Sequence, residues 1–178
     1  MKQFTFSSGK KLWTFDNLIS LEDRYNAFIA MKRSNFQLGW KDTETEEGSK
    51  YDYFYSLYNN RDLDNLKVYH TIMNSPVSEL VQGMTLSKAI VNLSTPSNVY
   101  FLHAHPEKRV ILYYANMDWS PNWHGETLFY DEACRDIECA VSYIPGRIAV
   151  FDGSVPHTIR PQSFAASQLR FTLSLLFN

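Results

Sequence analysis

The sequence has few cysteines and no large excess of either charge. Only two of its 178 residues are cysteine, Cys134 and Cys139, and they do not form a Cys-x-x-Cys pair. A structural disulfide or a zinc site made of cysteines is therefore not expected. The 17 basic and 19 acidic side chains are spread along the chain, without the basic patch that binds a phosphate backbone. Nucleic acid is not an expected partner.

Long apolar runs are missing as well. No stretch reaches the roughly 18 apolar residues of a membrane-spanning helix. Residues 1–8 lack the basic segment and the apolar segment that begin a secretion signal. These absences predict a soluble, cytoplasmic protein without a membrane partner.

The sequence does have the composition of a packed core. Hydrophobic residues make up 44% of the chain and aromatic residues 15%, which excludes a disordered chain and favours β-structure. A chain of this length suits one domain. We therefore expect residues 1–178 to form a single domain.

The N-terminal part, residues 1–88, is predicted to supply supporting helices and strands. Ser20 followed by Asp23 predicts a capped helix that ends near Lys32. Its apolar positions recur at helical spacing and predict one buried face: Leu21, Tyr25, Phe28 and Ile29. A short strand is predicted over 36–40 and a second helix over 62–73. Residues 41–50 between them are polar and predict a surface loop that could close as a lid.

The C-terminal part, residues 89–178, is predicted to be a sheet-rich core. Eight short apolar or alternating runs follow one another, and prolines and glycines separate them. The runs are 89–93, 99–103, 110–116, 126–130, 140–143, 147–152, 157–159 and 170–177. So many short strands in one segment predict a double-sheet jelly roll, in a fold that is mainly β with flanking helices.

Three histidines in the C-terminal part have a spacing that suits metal ligands. His103 and His105 stand two residues apart at the end of a predicted strand, where their side chains point to the same face. His157 follows a turn, 52 residues after His105. Neutral imidazoles bind first-row transition metals, although the usual non-haem iron site has two histidines and one carboxylate. The alternative is that the first pair only packs against aromatic side chains or faces solvent.

Several short motifs around these histidines occur in the order and spacing of a known family. They are Tyr113-Tyr114-Ala115-Asn116, Asp118-Trp119, Gly125-Glu126-Thr127-Leu128-Phe129, Pro145-Gly146-Arg147, Phe151-Asp152-Gly153, Pro156-His157 and Arg170-Phe171-Thr172-Leu173. Together they resemble the prolyl 4-hydroxylase-like branch of the iron(II)- and 2-oxoglutarate-dependent oxygenases, which includes many phage-encoded members. The resemblance spans residues 99–177. It implies a double-stranded β-helix, a cupin-like jelly roll that holds iron in its mouth.

The resemblance also implies roles for particular residues. The first and the distal metal-binding histidines of the family correspond to His103 and His157. The basic residue that binds the C5 carboxylate of 2-oxoglutarate corresponds to Arg170, whose planar guanidinium can donate two parallel hydrogen bonds. Tyr114 suits the role of a supporting hydroxyl in the 2-oxoglutarate site. Thr172 lies on the same strand face as Arg170 and could donate a further hydrogen bond. Arg160 competes with Arg170 for the basic role, but its setting suggests the rim of the site.

The chain departs from the family pattern at the second metal ligand. The family has an aspartate two residues after the first histidine, and this chain has His105, followed by Pro106 and Glu107. Three arrangements are open: three histidines, Glu107 as the carboxylate with His103 and His157, or a shifted set of His105, Glu107 and His157. We favour three histidines. Such a site lacks one negative charge, which should weaken the binding of iron and could admit zinc or nickel.

The activity that the resemblance implies is hydroxylation coupled to the decarboxylation of 2-oxoglutarate to succinate. Its cofactors and cosubstrates would be Fe(II), 2-oxoglutarate and O2, with ascorbate as an optional addition. The first substrate hypothesis is a prolyl residue in a peptide or protein, and a small molecule is the other. Two alternatives differ in function: a three-histidine metal dioxygenase that does not use 2-oxoglutarate, and a catalytically degenerate metal-binding jelly-roll module.

Overall fold

Strands dominate the fold of the described residues, which also form three flanking helices. The computed structural model describes residues 1–43 and 45–178; Glu44, in the predicted loop over 41–50, lies outside the described residues. The strands are β1 (Lys2–Thr5), β2 (Lys11–Phe15), β3 (Gln37–Trp40), β4 (Tyr53–Leu57), β5 (Leu86–Ser94), β6 (Arg109–Tyr114), β7 (Thr127–Tyr130), β8 (Ile137–Val141), β9 (Ile148–Asp152), β10 (His157–Ile159) and β11 (Arg170–Phe177). The helices are α1 (Leu21–Lys32), α2 (Asn60–Asp64) and α3 (Lys67–Met73). Short 3-10 turns lie at Gly48–Lys50, Ser78–Val81 and Pro121–Trp123.

The strands form two antiparallel sheets. The larger has the order β1-β2-β9-β6-β11-β5-β4-β3, and the smaller has the order β10-β7-β8. Strands β1 and β2 extend one side of the larger sheet and β3 and β4 the other, so both parts of the chain contribute to it. The prediction of a mainly β jelly-roll fold with flanking helices is confirmed. The assignment of all residues to one domain stays a prediction.

Strand β11 separates two hydrophobic environments because its side chains alternate between the faces of the larger sheet. One set packs into the core under the helices: Phe171, Leu173, Leu175 and Phe177. The other set lines a cavity on the opposite face: Arg170, Thr172, Ser174 and Leu176. The polar members of the strand therefore lie in the cavity, between the two sheets.

Helix α1 begins where the sequence predicts, but it buries a different face. Ser20 caps the helix with its side chain. The predicted buried positions Leu21 and Tyr25 are 68% and 55% exposed, whereas Ala27 and Met31 are buried. The helix packs through these two positions because the small Ala27 lets its backbone approach the sheet and the longer Met31 fills the space beside it. The predicted face was therefore wrong for its first turn.

The predicted helix over 62–73 is two helices. Asn59 and Asp62 form a capping box at the start of α2. The chain then leaves the helical conformation at Leu66, where φ is −101° and ψ is 94°. This break turns Leu66 into the core, where it is buried, so tertiary packing overrides the helical spacing.

In the described part of the chain, no helix has both the length and the apolar character needed to cross a membrane.

Seven of the eight predicted runs overlap strands β5 to β11, and the run over 99–103 does not form a strand. Side chains bind its backbone groups instead of a neighbouring strand. The amide of Phe101 donates to Asp42 Oδ2 at 2.9 Å, and the Tyr53 hydroxyl donates to the first carbonyl of the run at 2.6 Å. Only the last residue of the run forms a bridge, with His157. The strand prediction was wrong here because apolar character does not reveal such side-chain contacts.

Candidate functional site

The three predicted metal-binding histidines lie together. The ring centroids are 5.1 Å apart for His103 and His105, 4.4 Å for His103 and His157, and 5.0 Å for His105 and His157. One nitrogen from each ring lies within 4.8 Å of the others. The described residues therefore contain a group of three imidazoles that could hold one metal ion.

Backbone contacts hold the three histidines in place. His103 and His157 exchange both backbone hydrogen bonds, at 3.0 and 2.8 Å. The amide of His105 donates to the Gly153 carbonyl at 2.8 Å. A Cβ atom at Gly153 would overlap the carbonyl oxygen of Glu107, so this close approach of two backbone segments requires glycine.

Two of the rings have a defined orientation. Nδ1 of His103 lies 3.0 Å from the Phe101 carbonyl oxygen, and Nδ1 of His157 lies 2.8 Å from the Val155 carbonyl oxygen. A carbonyl oxygen can only accept a hydrogen bond, so each Nδ1 has the proton. Nε2 then has the lone pair, which is the arrangement typical of metal-binding histidines.

Burial keeps two of the rings neutral. Burial, followed by the neighbouring His103, lowers the pKa of His105 to about 4. Burial, followed by the two neighbouring histidines, lowers the pKa of His157 well below its ordinary value. At neutral pH both imidazoles therefore have a lone pair available for a metal.

Arg170 is a buried cation without a carboxylate partner among the described residues. Its exposure is 0%. Nε donates to the Gly125 carbonyl at 3.1 Å, while Nη1 and Nη2 are buried without a hydrogen-bond partner. The guanidinium carbon lies 5.0 Å from the ring centroid of Tyr143 and 5.8 Å from that of Tyr114. A buried cation with unused donors is costly, and an anionic ligand would offset that cost.

The cavity that contains Arg170 also contains the three histidines. Its walls come from both sheets, and most of the surface that they expose to the cavity is apolar. The lining residues are Trp40, Ile90, Asn92, His103, His105, Val110, Leu112, Thr127, Phe151, His157, Ile159, Arg170, Thr172, Ser174 and Leu176. A metal-binding group and a carboxylate-binding group therefore share one space.

The two other predicted cosubstrate residues differ in their contacts. Thr172 lines the cavity on the same face of β11 as Arg170. The Tyr114 hydroxyl lies 2.8 Å from Oγ1 of Thr127, and Thr127 itself lines the cavity. Burial raises the pKa of Tyr114, so its hydroxyl stays protonated. Tyr114 is placed behind Thr127, while Thr172 reaches the cavity directly.

Glu107 does not join the histidines. It is buried, but Oε1 lies 3.4 Å from Nζ of Lys88 and 3.5 Å from the Ser87 hydroxyl. Among the described residues, the group that could hold a metal consists of the three histidines alone. The two alternatives that use Glu107 are not the arrangement in this structure.

Arg160, the competitor of Arg170, lies on the rim. Its side chain is 48% exposed and 3.8 Å from Glu126. Nη2 lies 3.1 Å from Nε2 of His124. Arg160 does not line the cavity, whereas Arg170 does.

Asp42 is a site residue that the sequence did not reveal. Its carboxylate lies 3.7 Å from Nδ1 of His103, and its side chain is only 9% exposed. It belongs to the polar segment predicted as a loop, where nothing in the pattern separates it from other acidic residues. Only the contacts with the 99–103 segment distinguish it.

Comparison with known proteins relates the fold to a group of oxygenases. No family model matches the sequence, and no curated protein sequence matches it. Solved structures do match. A prolyl-4-hydroxylase from Pseudomonas putida has a TM-score of 0.64 at 13% identity, covering 94% of this chain and 92% of that one.

Two further structures extend the comparison. A prolyl hydroxylase from Trichoplax adhaerens, solved with a hypoxia inducible factor peptide fragment, has a TM-score of 0.58 at 12% identity, with 93% and 82% of the two chains covered. The non-haem α-ketoglutarate-dependent epimerase SnoN of nogalamycin biosynthesis has a TM-score of 0.67 at 10% identity, with 93% and 77% covered. At these identities the likeness shows a shared jelly-roll fold and no more.

Proposed function

We propose that this chain is an Fe(II)- and 2-oxoglutarate-dependent dioxygenase. The observation that supports this most strongly is the buried Arg170, whose Nη1 and Nη2 have no partner among the described residues, in the same cavity as three histidines. A site for a metal alone would not need a buried cation. A dicarboxylate that binds Arg170 at one end and the metal at the other would explain why the cavity contains a buried cation as well as three histidines.

The residues suit the metal and the cosubstrate. His103, His105 and His157 would hold Fe(II) through neutral imidazoles. Arg170 would bind the C5 carboxylate of 2-oxoglutarate with two parallel, charge-assisted hydrogen bonds. When bound, Fe(II), 2-oxoglutarate and O2 together supply an oxidant that breaks an unactivated C–H bond, while 2-oxoglutarate is converted to succinate and CO2.

The chain's own contribution is orientation and the exclusion of water. The Thr172 hydroxyl, on the same strand face as Arg170, can add a hydrogen bond to the bound carboxylate. Tyr114 limits the rotation of the Thr127 hydroxyl through their 2.8 Å contact. The apolar walls of the cavity, including Ile90 and Leu176, leave a bound dicarboxylate few polar alternatives to these groups.

The proposed substrate is a prolyl or other residue in a peptide or protein. Two of the structural neighbours are prolyl hydroxylases, and one of them was solved with a peptide fragment. A small molecule is the alternative substrate, because a neighbour with the same fold is an epimerase of nogalamycin biosynthesis. Ascorbate would be an accessory reductant in either case.

Anaerobic binding followed by a single turnover tests the proposal. Fe(II) is added to the purified protein without O2, and 2-oxoglutarate is then added while the visible spectrum is recorded. We expect the weak charge-transfer band of a bidentate 2-oxoglutarate–iron chelate, and then succinate when O2 is admitted. The absence of both the band and succinate would overturn the proposal.

A second candidate is supported by the histidines alone. Among the described residues the metal-binding group has no carboxylate, which also suits a three-histidine dioxygenase that binds its substrate to the metal without 2-oxoglutarate. Arg170 disfavours this candidate because it has no role there. Both this candidate and a metal-binding module without catalytic activity would bind Fe(II) and release no succinate, so the same experiment separates both of them from the proposed function.

A further inference from the structure

We propose that Asp42 supplies the negative charge that the three-histidine group lacks, acting through His103 as a positioning residue for the metal. The inference rests on the proposed function, because it concerns the same metal site. Asp42 lies in sequence far from the histidines, 61 residues before His103 (103 − 42).

The first observation is where Asp42 contacts the ring. Its Oδ1 lies 3.7 Å from Nδ1 of His103, the nitrogen whose proton points to the Phe101 carbonyl oxygen 3.0 Å away. Nε2, on the other side of the ring, is left for the metal. A carboxylate on the Nδ1 side of a metal-binding imidazole increases the basicity of the ring and sets its orientation.

The second observation is that Asp42 is held in this position. Its Oδ2 accepts a hydrogen bond from the Phe101 amide at 2.9 Å, and it shares the single proton of the Tyr53 hydroxyl, 2.7 Å away, with the Val99 carbonyl oxygen at 2.6 Å. Burial and the Asp42 carboxylate raise the pKa of Tyr53, so this hydroxyl stays protonated and available as a donor. Phe101 thus contacts Asp42 through its amide and His103 through its carbonyl, which links the loop to the ring.

The third observation is that Asp42 has no lysine or arginine partner in the described part of the chain. The neighbouring Lys41 lies 3.9 Å from Asp52 instead. Glu107, the other buried carboxylate beside the histidines, has Lys88 at 3.4 Å. A nearly buried carboxylate is unfavourable unless a cation lies close by. A divalent cation on Nε2 of His103 would offset that cost, and the stabilisation would be mutual.

Metal affinity without turnover tests the inference, with Co(II) as the probe because its visible spectrum reports its coordination. Asp42→Asn keeps the shape and an acceptor oxygen for Phe101, but removes the charge. We expect it to weaken Co(II) binding by about 10-fold, the lower end of the effect of losing a carboxylate that is hydrogen-bonded to a metal-binding histidine, because Asp42 lies 3.7 Å from Nδ1. Asp64→Asn makes the same change of charge at an exposed position of α2 and should leave the affinity unchanged.

Thermal unfolding separates this role from a merely structural one. Binding to the folded state raises the Tm by an amount that grows with the logarithm of the affinity, so the increase in Tm caused by a given Co(II) concentration should be smaller in Asp42→Asn than in wild type. If the variant only loosens the loop, the Tm of the metal-free protein falls while the increase caused by Co(II) stays the same. That result would overturn the inference.

The outcomes distinguish the two proposals. A wild-type protein that binds no Co(II) contradicts the proposed function. A wild-type protein that binds Co(II) as tightly as Asp42→Asn does contradicts only the role of Asp42. If Asp42→Asn does not fold, a crystal structure of the Co(II)-loaded wild type decides: the Asp42 carboxylate must remain beside Nδ1 of His103 while Nε2 binds the metal. A carboxylate that has turned away, or that binds the metal itself, would be decisive against the inference.

Discussion

The side chain of Arg170 is hydrogen-bonded to the backbone of Gly125. Nε of the arginine donates to the carbonyl oxygen of Gly125 at 3.1 Å. Gly125 has φ of +86°, and a Cβ there would lie 3.2 Å from Cδ of Arg170. The glycine conformation thus lets the loop accept one hydrogen bond from the guanidinium without displacing it. Because only Nε is used, the other two nitrogens keep their donors for a ligand.

Replacement of Arg170 should abolish cosubstrate binding while the protein stays folded. Charge-assisted hydrogen bonds contribute about 1.5–3 kcal/mol each, so Arg170→Met should weaken 2-oxoglutarate binding by at least about 100-fold. The metal-free, ligand-free variant should be as stable as wild type or more so, because an unpaired buried cation has been removed. Calorimetric titration of the Co(II)-loaded proteins with 2-oxoglutarate measures the first effect, and urea unfolding the second.

The matched control for this prediction is Arg61→Gln. Arg61 is exposed on α2, away from the cavity lining, so its loss should not change 2-oxoglutarate affinity. Arg170→Lys should fall between the two, because lysine keeps the charge but not the paired donors. Equal 2-oxoglutarate affinity in wild type and Arg170→Met would show that another group binds the cosubstrate.

Gly153→Ala should disturb the His105 segment. The new methyl group would overlap the Glu107 carbonyl oxygen, and this overlap can be relieved only by moving backbone. We expect the free energy of unfolding to fall by about 1–3 kcal/mol, as for other overpacked sites. Co(II) affinity should fall too, since the His105 amide donates to the Gly153 carbonyl. Urea unfolding and Co(II) titration measure the two effects, with the exposed Ser154→Ala as the control; a variant that matches wild type in both would contradict this account.

The parts of the fold that follow from local pattern could be predicted from the sequence. Strand β11 begins and ends at the predicted residues, because its alternation of large apolar and smaller or polar side chains requires one face in a core and the other in a cavity. Ser20 could be predicted as a helix cap because capping depends on residues within one turn. The grouping of His103, His105 and His157 was predicted from their spacing and from the family resemblance.

The remaining parts depend on contacts between distant segments. The 99–103 run is as apolar as a strand, yet Asp42 and Tyr53 bind its backbone groups, and neither residue is near it in sequence. For the same reason Asp42 could not be recognised as a neighbour of His103. Ala27 was missed as a buried position of α1 because a small side chain contributes little to an apolar pattern, although it allows close packing.

Acid should weaken the fold through the pair of Asp16 and Arg147. Arg147 donates from Nε at 2.7 Å and from Nη2 at 3.0 Å to the two carboxylate oxygens, which holds the pKa of Asp16 below its ordinary value of 3.8. The unfolded state therefore takes up this proton first as the pH falls. The contribution of the pair to stability is fully present above about pH 4 and is lost as the pH falls through the folded-state pKa.

Asp16→Asn isolates this contribution from the other titrating groups. Its free energy of unfolding should be about 1 kcal/mol lower than that of wild type at neutral pH, a value reduced by solvent because the Asp16 side chain is about one-third exposed. The difference between the two proteins should shrink below pH 4, as measured by urea unfolding across this range. A difference that does not depend on pH would show that Asp16 acts through something other than its charge.

Restoring a carboxylate to the metal-binding group should change its preference among metals. His105→Asp gives the group two histidines and one carboxylate, the combination typical of non-haem iron sites. We expect Fe(II) to bind about tenfold more tightly, because attraction between the added charge and the cation exceeds the cost of burying the carboxylate. His105→Asn is the control for shape without charge and should bind Fe(II) more weakly than wild type. Anaerobic Fe(II) titration of the three proteins measures the order; equal binding by His105→Asp and His105→Asn would contradict the role of charge.

His105→Asp also tests whether Asp42 acts through its negative charge near the metal. In wild type, Asp42→Asn leaves Glu107, which is paired with Lys88, as the carboxylate beside the metal ligands. In the His105→Asp background a ligand already has the charge. Asp42→Asn should therefore cost less Fe(II) affinity in His105→Asp than in wild type, and the effects of the two changes should not add. Simple addition of the two effects would mean that Asp42 contributes only by holding the ring of His103, because an orientation effect does not depend on the charge of residue 105.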